Sequence, residues 1–413
     1  MDSGVITHEM KRIHPIQNDR AYNISLFFIF IFSFFVSLMG GVLLFFSLLF
    51  IFRKVTIYGF LFPLLVIATI VFTQYSTVYD GDYDIVRYYS NYSTLSNCDF
   101  TTALLLIGLF GDYFFYFIVY LLSQIFPNDP RTMGFFFALV TGGIMLLTYE
   151  NIALYLSNNN KTSNYLSSVH LIVWVMGFIF FMNFINYANA YRQFFATSLF
   201  LWGGSRNLLH KKFLFIFILA LFSHWSILMY IVPFFIFRFH YKSLYACLFL
   251  AFSLGVFDIS SKLNFADFEK TSSYVQGEIL GVDKTLILTL LFTVSTLSYV
   301  LYKFDQGRKL YILSLIFILW DFLFLRSSTI TTRIFFSVSQ LFAIIFPLIL
   351  LERSKGERRT YVDLLSLSAF FLFIYNMKSI YLSEFTFQIF TEYSLWYSVY
   401  DILSVPFPTE IIL

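Results

Sequence analysis

The sequence predicts an all-α, polytopic integral membrane protein, and three observations carry that prediction. Of 413 residues, 59% are hydrophobic and only 12% are charged, against roughly a quarter charged in a soluble domain. Apolar runs of about 20 residues, each long enough to cross a bilayer, recur along the whole chain. The basic residues gather in short turns between those runs, as they do on the cytoplasmic side of a membrane. The net charge of +3 sets orientation and forms no basic patch for nucleic acid. Cys98 and Cys247 stand far apart and match no metal spacing. No Gly-, Ser- or Pro-rich run marks a linker. The expectation is one membrane domain over residues 21–381, between a polar segment 1–20 and an amphipathic, aromatic tail 382–413.

Taken in order, Lys11, Arg12 and Arg20 precede an apolar run with no small-residue cleavage site, which predicts an uncleaved first helix. The run from Tyr22 to Phe52 is long for one span and short for two, and Gly40-Gly41 is the expected break. Arg53-Lys54 reads as a cytoplasmic turn, and Ile57 to Thr73 crosses outward. A polar insert follows, YDGDYDIVRYYSNY, residues 79–92. Phe100 to Phe126 is apolar but interrupted at Gly111-Asp112. Spans follow at Met133–Leu156 and Leu166–Ile185. Asn186, Asn189 and Tyr191 then lead into Arg192 and are read as caps for its helix. In the second half, spans are read at Tyr245–Phe257, Thr285–Tyr302, Leu310–Leu325, Ile334–Leu351 and Tyr361–Tyr381. ERSKGERR, residues 352–359, is the strongest positive cluster and fixes that turn in the cytoplasm.

Counting back from that cluster places the loops at 326–333 and 258–284 outside and the turns at 303–309 and 238–242 inside. The stretch from Lys212 to Phe239 breaks the parity, because both of its ends are basic. It is therefore read as two short helices that enter and return, meeting near His224 and Trp225. Non-helical backbone at that depth is tolerated only where it is buried or lines a wet cavity. A similar parity problem arises at residues 100–126. The span count is about 11 to 13, re-entrant helices included. No fixed-period repeat is present.

The stretch from Asn189 to Ser226 organises the rest. Arg192 and Gln193 open one apolar run, a basic turn follows with Arg206, His210, Lys211 and Lys212, and the next run carries a lone His224 back toward Arg192. Charged and titratable groups at membrane depth are costly and are site candidates by default. Arg192, Arg326 and Arg333 all fall at outer-face helix ends, against the positive-inside rule. The plainer reading is that each snorkels to the interface. Asp112, Glu150 and Asp321 are read as structural: the first two as helix ends, the third as a partner for Arg326.

In order, YDGDYDIVRYYSNY, YRQFFA (191–196), KKFLFIFILALFSHWS (211–226) and TTRIFF (331–336) resemble the EpsG-like and Wzy-type polysaccharide polymerases over about residues 50–350. The resemblance implies an all-helical membrane scaffold, with a glycosyltransferase-C-like arrangement as one form. It implies an enzyme of the bacterial inner membrane, active on the periplasmic face, that polymerises undecaprenyl-diphosphate-linked oligosaccharides among membrane lipids. A chain-length regulator is the partner it implies. Neither cofactor nor metal is expected: Asp80, Asp82 and Asp84 alternate but lack the glycine and distal glutamate of a calcium loop.

That chemistry assigns roles. Arg192, Arg326 and Arg333 suit a lipid diphosphate, since guanidinium binds phosphate oxygens in pairs and keeps its proton. His224 suits the base that takes a proton from the attacking sugar hydroxyl, and a substrate-binding or packing histidine is its alternative. Asp82 and Asp84 are the alternative base or bind sugar hydroxyls. Gln193, Tyr83, Arg87 and Tyr88 complete the expected substrate-binding set, with Tyr83, Tyr88 and Tyr89 as a stacking face. A ligase that moves the finished glycan to lipid A core, a flippase for the same lipid-linked sugar and a scaffolding protein are the rival functions.

Overall fold

The computed structural model describes residues 20–52, 57–73, 84–160, 190–237, 241–256, 302, 309–324, 334, 337–341, 343–345 and 396–406, and among these all regular structure is helical. The run beginning at Tyr22 folds as α1 (Arg20–Phe35) and α2 (Leu38–Phe52). The break falls at Val36-Ser37 and not at the expected glycine pair. Ser37 Oγ accepts from the Gly40 N–H at 3.1 Å, capping α2 in the usual N-cap manner. The glycines serve packing instead: a Cβ at Gly41 would lie 1.5 Å from Ser33 Oγ, so its absence lets α1 and α2 close on each other.

Next come α3 (Ile57–Phe72), α4 (Asp84–Ser96), α5 (Phe100–Phe110), α6 (Tyr113–Ile125) and α7 (Arg131–Asn160). Asp99 caps α5, accepting from the Thr101 N–H at 3.2 Å. Gly111 ends it in the left-handed region (φ 87°) and donates its N–H to Ile107 O at 3.2 Å, a role that favours glycine. Glu150, read from sequence as a helix end, instead lies inside α7. After α7 the described chain resumes with α8 (Tyr191–Leu208) and α9 (Leu214–Ser223). A 3₁₀ turn (Trp225–Ile227) leads to α10 (Leu228–Phe237) and α11 (Tyr241–Val256). Then come α12 (Lys309–Leu323) and the short α13 (Val399–Ser404).

Within α7, Arg131–Leu156 is long and apolar enough to cross a membrane, and several shorter apolar helices accompany it. Large apolar side chains face outward, among them Leu109 (81% exposed) on α5 and Phe249 (74%) on α11. An exposed apolar surface of this kind marks a lipid or protein interface. The readings of 166–185, 285–301, 346–351, 352–359 and 361–381 lie outside the described residues.

Two segments double back. In α5 and α6, Phe110 meets Tyr116 (ring centroids 4.8 Å) and Phe100 meets Tyr120 (6.1 Å), so the pair is antiparallel with its tip at Gly111-Asp112. In α9 and α10, Phe217 meets Phe234 (5.3 Å) and Phe213 meets Phe235 (6.2 Å), so the tip falls at His224-Trp225. At about 1.5 Å per residue, arms of 10 to 13 residues fall short of the ~30 Å hydrocarbon core. Two short helices thus stand where they were read, within residues 214–237, and residues 100–125 form a second such pair.

α8 lies between these pieces. It runs alongside α7, where Phe137 packs on Phe195 (5.1 Å) and Asn151 Nδ2 donates to Ser205 Oγ (3.2 Å). It returns into α9 through Phe200 stacked on Phe217 (5.4 Å), with Gly203 leaving room for the Phe217 ring. α11 crosses α12 closely, and a Cβ at Gly255 would lie 1.9 Å from the Phe322 carbonyl oxygen. Gly255→Ala should therefore lower the detergent-solubilised melting temperature by an amount matching about 1–3 kcal/mol of overpacking. Gly108→Ala, where nothing lies within 4 Å of the added carbon, should leave it unchanged or raised. Equal melting temperatures for the two variants would contradict this packing.

Candidate functional site

The two hairpin tips meet at the start of α8. Asp112 occupies the cap position of α6 but makes no side-chain bond to that helix. Its carboxylate turns away from α6 toward the other hairpin tip and α8. Oδ2 accepts from Arg192 Nη1 at 2.7 Å. Oδ1 faces His224 Nδ1 at 3.4 Å and accepts from the Trp225 N–H at 3.4 Å. His224 is extended (φ −163°, ψ 118°) where α9 stops, which lets its ring and the next N–H reach the same oxygen. Tyr113 and Phe222 pack edge to face across the junction, 5.8 Å between centroids.

Arg192 is held on further sides by α4. Its Nε donates to the Tyr88 hydroxyl at 3.1 Å, and the guanidinium lies 5.1 Å from the Tyr88 ring centroid and 5.9 Å from that of Tyr116. Asp84, at the start of α4, stands 3.9 Å from Arg192 Nη2 and forms a close ion pair with Arg87 one turn on. Asn91 Nδ2 fixes the Tyr116 hydroxyl at 2.9 Å. The Asp112 side chain is 4% exposed, that of His224 11% and that of Arg192 18%, so these charges interact with little water between them. In such surroundings a paired charge is strongly held and an unpaired one is costly.

Of the residues singled out in the sequence, the structure brings Arg192, His224, Asp84, Arg87 and Tyr88 together. Three expectations are corrected. Tyr88 and Tyr89 are 1% and 6% exposed, and Tyr88 is stacked on Tyr191 at 5.5 Å, so neither ring offers a face to a sugar here. Tyr88 positions Arg192 instead. Gln193 stays out of the cluster: it is buried, and its amide donates to Ser337 Oγ at 3.5 Å. The cap of α8 is Ala190, which makes no side-chain cap bond, and Tyr191 is the first helical residue. Asn186 and Asn189, like Asp80, Asp82, Tyr83, Arg326 and Arg333, lie outside the described residues, and with Arg326 goes the expected partner of Asp321. Among the described residues no three His, Cys, Asp or Glu side chains are grouped as a metal site would need.

Asp112 is the residue that sequence reasoning undervalued. Its place at a helix end was legible; the direction of its side chain was not. The available signal was a carboxylate inside a long apolar run whose parity failed, a costly placement unless it has partners.

Residues 60–394 match the EpsG family. The chain belongs to the EpsG family. The EpsG match makes this a polysaccharide polymerase-like membrane protein, with a glycosyltransferase-like role. No curated protein matches the chain, and no solved structure matches it.

The meeting of the two tips has a direct check. With Cys98 and Cys247 replaced by serine, Tyr113→Cys and Phe222→Cys together should be joined by a short bifunctional thiol reagent, and digestion should release one linked peptide. The same reagent should link neither single variant. Absence of the linked peptide in a folded double variant would mean the tips stand apart.

Proposed function

We propose that this chain is a surface-polysaccharide polymerase of the bacterial inner membrane, active on the periplasmic face. It transfers a growing glycan from undecaprenyl diphosphate to the non-reducing end of an undecaprenyl-diphosphate-linked repeat unit. The observation that carries this reading is the convergence of Arg192 and His224 on one buried carboxylate where two broken helices meet. The EpsG membership supplies the class of reaction.

In the step proposed, an acceptor sugar hydroxyl attacks the donor's anomeric carbon. A new glycosidic C–O bond forms as the bond from that carbon to the diphosphate breaks. The electron pair leaves with undecaprenyl diphosphate, and the hydroxyl proton passes to His224. Arg192 stabilises the departing diphosphate through charge-assisted bonds, aided by Arg333 on the strength of its sequence motif and by Arg326 as a further outer-face arginine of the sequence reading. In this reading Asp84 and Arg87, on α4 beside Arg192, bind sugar hydroxyls, with Asp82 and Tyr83 just before them in sequence. Most of the rate gain comes from holding donor and acceptor together. A chain-length regulator is the proposed protein partner.

Broken helices with a site at their tips also occur in transporters, which keeps a flippase for the same lipid-linked sugar as the second reading. A surface-glycan gel separates the readings. Deletion of the gene should leave core bearing a single repeat unit. Wild type should restore the ladder, and Arg192→Ala should leave at most about 1% of it, the loss expected when a main transition-state donor is removed. Bare core with accumulated long lipid-linked polymer would indicate a ligase. Bare core with unpolymerised units on the cytoplasmic leaflet would indicate a flippase. A full ladder from Arg192→Ala would remove Arg192 from the site.

A further inference from the structure

We propose that Asp112 is the positioning residue of this site, setting the tautomer of His224 and the aim of Arg192 through one carboxylate. The role rests on the polymerase reading and adds to it a residue that sequence reasoning assigned to structure.

An aspartate at a helix cap ordinarily accepts from its own helix's first N–H groups. Asp112 makes no such bond to α6. Its acceptors go to the other hairpin and to α8: Arg192 Nη1 at 2.7 Å, the Trp225 N–H at 3.4 Å and His224 Nδ1 at 3.4 Å. The Trp225 bond gives the 3₁₀ turn a cap from outside its own chain segment, because its cap residue, His224, makes no side-chain cap bond. A carboxylate has only acceptor sites, so the His224 nitrogen facing it carries a proton. Neutral His224 then holds its lone pair on Nε2, the nitrogen that must take the acceptor's proton. When it does, the imidazolium forms beside a carboxylate already in place, and no group need move to balance the charge. Asp112 keeps its own charge throughout. The same anion holds one arm of the Arg192 fork, while Tyr88 holds Nε, so the guanidinium is fixed before a diphosphate arrives.

The arrangement also explains the two tips. Each helix break exposes backbone groups that must be satisfied at depth. Gly111 closes α5, and Asp112 satisfies the tip of the other hairpin. One side chain thus joins the fold's two interruptions to the two residues proposed for chemistry.

The test uses purified full-length protein in detergent with an undecaprenyl-diphosphate-linked repeat unit, measuring kcat, KM and melting temperature. Asp112→Asn keeps the shape and removes the charge. It should lower kcat about 100-fold or more, within the usual reach of general-base catalysis, with KM little changed. Combined with His224→Ala it should cost clearly less than the product of the two single effects, because residues that act as a unit are non-additive, the remainder being the lost hold on Arg192. A residue that merely braces the fold would instead multiply its effect with that of His224→Ala, whatever its effect on the melting temperature. That outcome, or a wild-type kcat in Asp112→Asn, would overturn the proposal. Should Asp112→Asn fail to fold, Asp112→Glu keeps the charge but displaces it by one methylene. It should lower kcat at least 10-fold, and a wild-type kcat there would overturn the proposal equally. If wild-type protein makes no polymer at all, the polymerase reading fails and this role falls with it, an outcome distinct from an active wild type with an active Asp112→Asn.

Discussion

A single buried carboxylate holds the centre of this structure. Asp112 faces a guanidinium on one oxygen and an imidazole and a backbone N–H on the other. At 4% exposure it cannot lean on water, and a lone charge so placed would cost several kcal/mol. Arg192 has the complementary need, and each neutralises the other. Around that pair, Tyr88, Tyr116 and Asn91 form an aromatic, hydrogen-bonded collar from α4 and α6. Removing any one partner leaves the rest exposed to the same penalty, which makes the cluster cooperative.

The hairpins follow from that pairing. Non-helical backbone at depth needs internal partners. The tip of α5 and α6 finds one in a left-handed glycine and the tip of α9 and α10 in Asp112. The hairpins leave the junction in different directions. The α6 arm leads to the start of α7, where the Tyr92 hydroxyl donates to Phe126 O at 2.8 Å and pairs with Thr132 Oγ1 at 3.0 Å. The α9 arm leads along α8 to the basic turn, where Arg206 Nε donates to Lys212 O at 2.7 Å.

A second anchor ties the tail to the front of the chain. Arg131, 0% exposed, bonds Asp129 through Nε (2.8 Å) and Nη2 (2.7 Å), lies over the Phe72 ring at 4.4 Å, and donates to Val405 O at 2.6 Å. Tyr397 O accepts from the Leu38 N–H at 2.8 Å, and a capping box of Ser398 and Asp401 starts α13. The described part of the aromatic tail is thus a clasp across α1, α2 and the start of α7, which keeps α7 fixed where it carries Phe137 against the helix of Arg192.

The sequence by itself determined the helical, apolar character of this protein, the break at Gly111-Asp112, the return at His224 and the family. These are local or compositional properties: periodic apolar runs, punctuating glycines and charges too costly to be incidental are written in residue order. It also singled out Arg192 and His224, since isolated polar groups inside apolar runs stand out without any knowledge of their neighbours. Only the tertiary structure decided which residues share a site. Asp112 and His224 lie far apart in the chain, and nothing in either segment shows that a cap-position carboxylate abandons its own helix for another. Tyr88 and Gln193 likewise have identities legible in the sequence and partners that are not. Whether a tyrosine offers its face or buries it, and whether an amide meets substrate or a neighbouring helix, depends on which helices pack together, a property of the whole chain and not of any one stretch.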